Sequence, residues 1–315
     1  MTTSLITSDK YKYHITGPGF PESPERLDAI LKHLESAELI NDLEIVEPLR
    51  KDKEFCRLVH DDDYIARVRQ ACELGAPIVD TADNPISKDS YDTALLAVGG
   101  ITEAVDKIFS GKSNNAMALL RPPGHHAEKE MAMGFCLFNN VAIAAKYAQK
   151  NYEVEKVAII DFDVHHGNGT QHIFELDPTV MYASLHQYPF YPGTGATEET
   201  GKGHGKGTTI NYPLNYGVGD NEFNDIFENS LSDKILKYNP DLIIVSAGFD
   251  AHIDDPIGGL SVTTKGYFDI SNILMDLANE VCGGKIISSL EGGYNLKALA
   301  ESVEAHLLAL QGKAL

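Results

Sequence analysis

Five of the twelve histidines fall between His125 and His172, in a stretch that also holds Asp161 and Asp163. Carboxylate and imidazole groups are the ligands of catalytic zinc, which takes three protein ligands and keeps one position open, whereas closed structural zinc sites are rich in Cys. In Asp161-Phe162-Asp163-Val164-His165 the polar residues alternate with apolar ones, so on an extended strand all three polar side chains face the same way. A strand end of this kind can offer a carboxylate and an imidazole to one ion and keep the third group to orient them. Asp250, at the end of a neighbouring apolar run, completes a set of two carboxylates and one imidazole, Asp163, His165 and Asp250. The open position implies a bound water, whose pKa zinc can lower to about 7. A lone Asp-x-His is commonly a solvated turn; here it coincides with a His-His pair and with Asp250.

The pair His125-His126 lies in Arg121-Pro122-Pro123-Gly124-His125-His126-Ala127, where the prolines stiffen the turn and remove backbone donors. Adjacent imidazoles that differ in protonation need different partners. Asp161 and Asn168 are at hand: an ionised Asp favours an imidazolium, whereas a neutral Asn orients a ring without forcing a charge on it. Asn139-Asn140 is the better helix start downstream, so the histidines are not needed as caps. Glu291-Gly292-Gly293-Tyr294-Asn295 sets a phenol after two glycines that permit a close turn. A phenol donating to a developing oxyanion is a suitable electrophilic partner for zinc, although a tyrosine in a surface turn is the commoner occurrence.

These residues need a scaffold that brings them together. Short apolar runs at Ala116 to Leu120, Val157 to Ile160, Val180 to Leu185, Leu242 to Ser246 and Lys285 to Leu290 predict strands buried on both faces. Helical spacing covers Ser90 to Phe109, Asn139 to Lys150, Asn221 to Tyr238, Thr264 to Val281 and Leu296 to Leu310. The alternation predicts an α/β fold with a central, mostly parallel sheet. The turns at Arg121 to His126, Asp161 to Asn168, Gly248 to Asp255 and Glu291 to Asn295 would then converge on the rim at the carboxyl ends of the strands. No repeat or linker divides the chain, so residues 1–315 are expected to form a single domain. The six glycines between Tyr188 and Thr209 predict a long mobile surface loop. Nucleotide binding is excluded, because Gly111-Lys112-Ser113 has Asp106 where a phosphate-binding loop needs glycine.

Composition narrows the partners. The net charge of −20 disfavours direct nucleic-acid binding and attracts a basic peptide or a polyamine. Four dispersed cysteines indicate neither a disulfide framework nor a zinc knot and suit a reducing compartment. Residues Met1 to Lys12 lack the apolar core of a signal peptide, and no run suffices to span a bilayer, so a cytoplasmic protein with no membrane partner is expected. The oligomeric state is left open.

From about Pro21 to Leu310 the chain resembles the zinc-dependent histone deacetylase superfamily, its class II branch most closely. The resemblance is carried by Pro21-Glu22-Ser23-Pro24-Glu25-Arg26-Leu27, Arg121 to Ala127, Gly134-Phe135-Cys136, Asp161 to Gly169, Tyr191-Pro192-Gly193-Thr194-Gly195, Ala247 to Ala251, Asp255 to Gly259 and Leu290 to Asn295. It implies an arginase-like fold and hydrolysis of the acetyl amide of N6-acetyl-lysine in proteins or peptides. It also implies zinc on Asp163, His165 and Asp250, with Tyr294 polarising the carbonyl. His126 would be general base and then general acid, oriented by Asn168, with His125 paired to Asp161. Phe135 and Tyr191 would wall a lysine tunnel that Gly134 lines, and Asp83 would clasp the substrate backbone. A structural potassium ion would sit on the carbonyls of Asp161, Asp163, His165 and Leu185 and the side chains of Asp161 and Ser184. Asn168 stands where class I members carry Asp. Ile257 stands where polyamine-selective members carry a Glu gatekeeper, which weighs against an acetylpolyamine or other small-molecule amidohydrolase. A dinuclear manganese ureohydrolase would need an Asp where Gly167 stands. A catalytically weak acetyl-lysine binding module is the remaining alternative, and every catalytic group of the family is present to argue against it.

Overall fold

The structure, a computed structural model, describes residues 2–315. Its strands are β1 (Thr3–Ile6), β2 (Glu44–Val46), β3 (Asn115–Ala118), β4 (Val157–Asp161), β5 (Val180–Gln187), β6 (Thr209–Leu214), β7 (Leu242–Ala247) and β8 (Ile286–Leu290). They form one sheet in the order β2-β1-β3-β8-β7-β4-β5-β6, and every neighbouring pair is parallel. The five apolar runs become β3, β4, β5, β7 and β8, which lie side by side. Residues buried on both faces leave an uninterrupted apolar signature. The strands outside this block, β1, β2 and β6, carry no such run: β2 has three residues, and β6 contains Pro213, which an edge strand tolerates.

The helices are α1 (Glu25–Ser36), α2 (Asp62–Glu73), α3 (Ser90–Phe109), α4 (Asn140–Asn151), α5 (Asn168–Phe174), α6 (Asp220–Ile226), α7 (Ser232–Tyr238), α8 (Thr264–Cys282) and α9 (Leu296–Gln311). Asn139 caps α4 by accepting from Ala142 N–H, and Asn295 caps α9 by accepting from Lys297 and Ala298. The predicted helix over Asn221 to Tyr238 is broken by a π-helical turn at Phe227–Leu231 between α6 and α7. Phe223, Phe227, Leu231 and Ile235 still form one buried stripe along it. Helices α1, α9 and α8 pack in a row, α3 packs with α4, and both sets lie against the sheet.

The N-terminal segment is fastened to this scaffold by a buried ion network. Arg121 donates to both carboxylate oxygens of Glu22, from Nε at 2.5 Å and Nη2 at 2.8 Å, and also to the carbonyls of Tyr11 and His14. Arg26, one turn beyond Glu22, donates to Glu22 and to the carbonyls of Glu291 and Gly293. All three side chains are fully buried. Burial alone would raise the Glu22 carboxyl, but the Arg121 guanidinium dominates and holds it at about 2.

Arg121→Met is expected to destabilise the protein by about 3 to 5 kcal/mol, since it strands a buried carboxylate; urea unfolding measures this. Glu22 takes up a proton more readily unfolded than folded. Its stabilisation is therefore complete above about 4.5, declines as the pH falls and is gone near 2. Urea midpoints between pH 5 and pH 2.5 should fall more steeply for the parent than for Glu22→Gln; parallel slopes would contradict the assignment.

Candidate active site

The carboxyl ends of β3, β8, β7 and β4 adjoin in the sheet, so the turns that follow them share one rim. One expectation needs correction. Strand β4 stops at Asp161, so Asp163 and His165 do not lie on it, and strand alternation does not align them. Local hydrogen bonds do. Asp161 Oδ1 accepts from the Asp163 N–H at 3.2 Å, and Asp163 Oδ1 accepts from the His165 N–H at 2.9 Å. Each carboxylate thus folds the chain over the residue two places on, as Asp side chains do in turns.

Asp163, His165 and Asp250 are buried together, with ligand atoms within 4.8 Å of one another. His165 Nδ1 lies 3.0 Å from Asp163 Oδ1 and 3.2 Å from Asp250 Oδ2. Asp250 Oδ1 accepts from Val164 N–H, while the buried Oδ2 has only the His165 ring nitrogen beside it, outside hydrogen-bond geometry. Burial, and then the Asp163 charge, push the Asp250 carboxyl up to about 7. Glycines make room for this crowding: a Cβ at Gly248 would collide with Asp163 Oδ2, and one at Gly292 would collide with Asp250 Oδ2. Two carboxylates, an imidazole and an orphan oxygen fit a divalent cation with zinc chemistry.

The two adjacent imidazoles have opposite environments, and their ring centroids are 4.0 Å apart. His125 Nδ1 lies 3.0 Å from Asp161 Oδ2, which also accepts from the Tyr182 hydroxyl. Burial would lower His125, but the carboxylates of Asp163 and Asp161 raise it to about 10, so it is an imidazolium at neutral pH. His126 Nδ1 lies 2.7 Å from Asn168 Oδ1. Burial and the neighbouring histidines hold His126 well below its ordinary value, so it is neutral.

Tyr294 is half-buried at the same rim; its backbone N–H donates to Asp255, and its ring lies 5.1 Å from the Arg26 guanidinium. Burial raises its phenol well above the ordinary value, so it remains a donor. A cavity of about 250 Å³ reaches down to His126, His165 and Tyr294. Phe135 and Tyr191 line it, as do Gly134, Ile257 and Asp83. Gly134, at φ +57°, has no room for a Cβ, which would run into the His126 ring. Asp83 Oδ2 accepts from the Tyr191 hydroxyl at 2.7 Å and from Gly134 N–H at 3.2 Å, tying both walls together. Asp161 and Ser184 are register partners across β4 and β5, with Leu185 next along β5; the Ser184 hydroxyl lies 2.9 Å from His186 Nδ1.

Other contributors escaped the sequence reading. Phe190 stacks on His165 at 5.3 Å, and the aromatic run Tyr188-Pro189-Phe190-Tyr191 was the available signal. Glu128 contacts Asn168, and only its place two residues after His126 could have pointed to it. The glycine-rich segment expected to be a mobile loop makes several contacts with the scaffold. Glu199 accepts from the Gly195 and Ala196 amides and from Gln171, His166 meets Thr194, and Thr209 already belongs to β6.

Residues 20–310 match the histone deacetylase domain family. Over 309 aligned residues the chain is 39% identical to histone deacetylase 14, chloroplastic, of Arabidopsis thaliana, covering 93% of this chain and 73% of that protein. It is 37% identical to a probable deacetylase of Archaeoglobus fulgidus, covering 94% and 82% of the two chains. The crystal structure of the HDA15 HD domain superposes with a TM-score of 0.93 at 37% identity, covering 99% of this chain and 90% of that one.

Gly292→Ala is expected to displace Asp250 and Asp163 and to reduce bound zinc, measured by elemental analysis, at an unchanged fold by circular dichroism. Full zinc occupancy in that variant would sink the reading of this cradle.

Proposed function

The chain belongs to the histone deacetylase family and is a hydrolase acting on amides; on that premise we propose that it removes the acetyl group from N6-acetyl-lysine in proteins or peptides. The observation that carries this reading is a pair of adjacent imidazoles, His125 on the Asp161 carboxylate and His126 on the Asn168 amide, beside the buried Asp163, His165 and Asp250 at the end of an aromatic-walled cavity. Residues 1–315 act in this reading as one catalytic domain.

Phe135 and Tyr191 would enclose the methylene stem of the substrate lysine, which apolar walls hold without a charge partner. Asp83, joined to both walls, would accept hydrogen bonds from the substrate backbone, and Gly134 leaves space for the stem. Zinc on Asp163, His165 and Asp250 would supply Lewis-acid polarisation of the acetyl carbonyl and of the attacking water. Tyr294 would donate to the carbonyl oxygen as negative charge develops there. His126 would accept a proton from water and pass it to the leaving amine. His125, kept protonated by Asp161, would hold positive charge beside the reacting centre, and Asn168 would orient His126. We assign a structural potassium ion to the carbonyls of Asp161, Asp163, His165 and Leu185 and the side chains of Asp161 and Ser184, supported by the register of β4 and β5; no chemical step depends on it.

Substrate and setting follow from charge and shape. The net charge of −20 favours a basic peptide over nucleic acid, and the apolar Ile257 on the cavity offers no partner to the second ammonium of an acetylpolyamine. Asn168 and Leu290-Glu291-Gly292-Gly293 support a class II-like placement. Among the described residues no helix is long and apolar enough to cross a membrane.

Tyr294→Phe should lower kcat by a factor of roughly 10² to 10³, the usual cost of losing an oxyanion donor, with zinc content unchanged. Parental turnover would show that the phenol has no such role. On the zinc-loaded protein, an acetyl-lysine peptide should be cleaved in preference to acetylspermidine, and a chelator should stop both reactions. A preference for the polyamine would move the function to small-molecule amide hydrolysis.

A further inference from the structure

An asparagine side chain can present either its oxygen or its nitrogen to a neighbour, and at Asn168 that choice decides the tautomer of His126. With Oδ1 facing His126 Nδ1 at 2.7 Å, the proton must reside on Nδ1, and Nε2 is left with a lone pair. In the flipped orientation the amide NH₂ would donate to Nδ1, and the ring would carry its proton on Nε2, where it could not accept another. The shape of the amide does not prevent the flip.

Glu128 does. Asn168 Nδ2 donates to Glu128 Oε1 at 2.5 Å and to the His126 carbonyl at 3.3 Å, and both groups are acceptors only. Flipping the amide would set its oxygen against a carboxylate and a carbonyl together. The carboxylate makes the stronger contribution, because a charged acceptor roughly doubles a hydrogen bond. Glu128 is itself held: its side chain is 17% exposed, and the same Oε1 lies 2.8 Å from His172 Nδ1. Asn168 and His172 are four residues apart on α5, so one helix face presents both groups to Glu128.

We propose that Glu128 is a positioning residue that fixes the Asn168 amide, and through it the His126 tautomer, and that positions 128 and 168 together work with one carboxylate and one amide. This rests on His126 being the base, and it goes further by accounting for Asn at 168. An Asp at 168 would face the Glu128 carboxylate across a hydrogen-bond distance, and like charges that close oppose one another. Exchanging the two groups restores a donor and an acceptor between the side chains: with Asn168→Asp and Glu128→Gln combined, the carboxylate now at 168 would accept from His126 Nδ1–H and from the amide now at 128, and only the longer, 3.3 Å contact to the His126 carbonyl would be lost.

The test uses the zinc-loaded protein, with zinc content and thermal melting checked for each variant. Nitrogen-15 NMR of labelled histidines, with His126→Gln to assign the signal, should show His126 protonated on Nδ1 in the parent and a mixture of tautomers in Glu128→Ala. Glu128→Ala should lower kcat by roughly tenfold to a hundredfold, within the range that acid–base catalysis contributes, with KM little changed. Asn168→Asp should be impaired, and Asn168→Asp with Glu128→Gln should recover most of the lost kcat. The proposal is overturned if Asn168→Asp alone matches the parent, if the double variant is folded and zinc-loaded yet no better than the single one, or if Glu128→Ala leaves both tautomer and kcat unchanged. A tautomer change without a change in kcat would support the positioning by Glu128 and overturn the reading of His126 as base, as would parental kcat in His126→Gln.

Discussion

Carboxylates buried at the carboxyl end of a parallel sheet are the constraint around which the rim is built. A desolvated carboxylate must find donors, and four of them here find donors on the backbone of another turn. Asp250 accepts from Val164, Asp163 from Gly292, Glu291 from Gly124 and His125, and Asp255 from Tyr294 and Asn295. Asp163 and Asp250, which could hold a metal ion, therefore also bind the turns to one another. The glycines follow from the same constraint, since a side chain at Gly248 or Gly292 would occupy the space of an aspartate oxygen.

The histidines show how one cluster of negative charge produces two protonation states. His125 lies against Asp161 and near Asp163, and the attraction outweighs its burial. His126 meets a neutral amide and, beside it, a charged imidazole, so burial and repulsion act in the same direction. Neighbours in sequence are thus biased in opposite directions, one toward the cation and one toward the neutral acceptor. Beyond the histidines, the buried Glu22, Arg26 and Arg121 carry the constraint to the N-terminal segment: Arg26 binds carbonyls on either side of Gly292 while its guanidinium lies over the Tyr294 ring. The position of Tyr294 therefore depends on residues more than 250 positions earlier in the chain.

Legibility differed by element for physical reasons. Strands β3, β4, β5, β7 and β8 were readable because burial on both faces demands continuous apolar residues. Strands β1, β2 and β6 were not, because short or peripheral strands leave no run to detect. Helix α3 was read to its ends, and α4 was placed by its cap at Asn139. The glycine-rich segment looked mobile because composition reports the freedom of the unfolded chain; the side chains of Glu199, His166 and His186 that hold it come from elsewhere or from within the loop itself.

By itself the sequence determined the α/β class, the order of chemically loaded turns, and which carboxylates and imidazoles were available to a metal ion or a proton. Those properties live in residue type and local spacing. Only the tertiary structure decided that β4 ends before Asp163, that Asp83 bridges the two aromatic walls, that Phe190 stacks on His165, and that Glu128 turns the Asn168 amide toward His126. Each of these depends on contacts within a bend or between distant segments. Their geometry depends on how the chain packs, which periodicity and motif spacing do not encode.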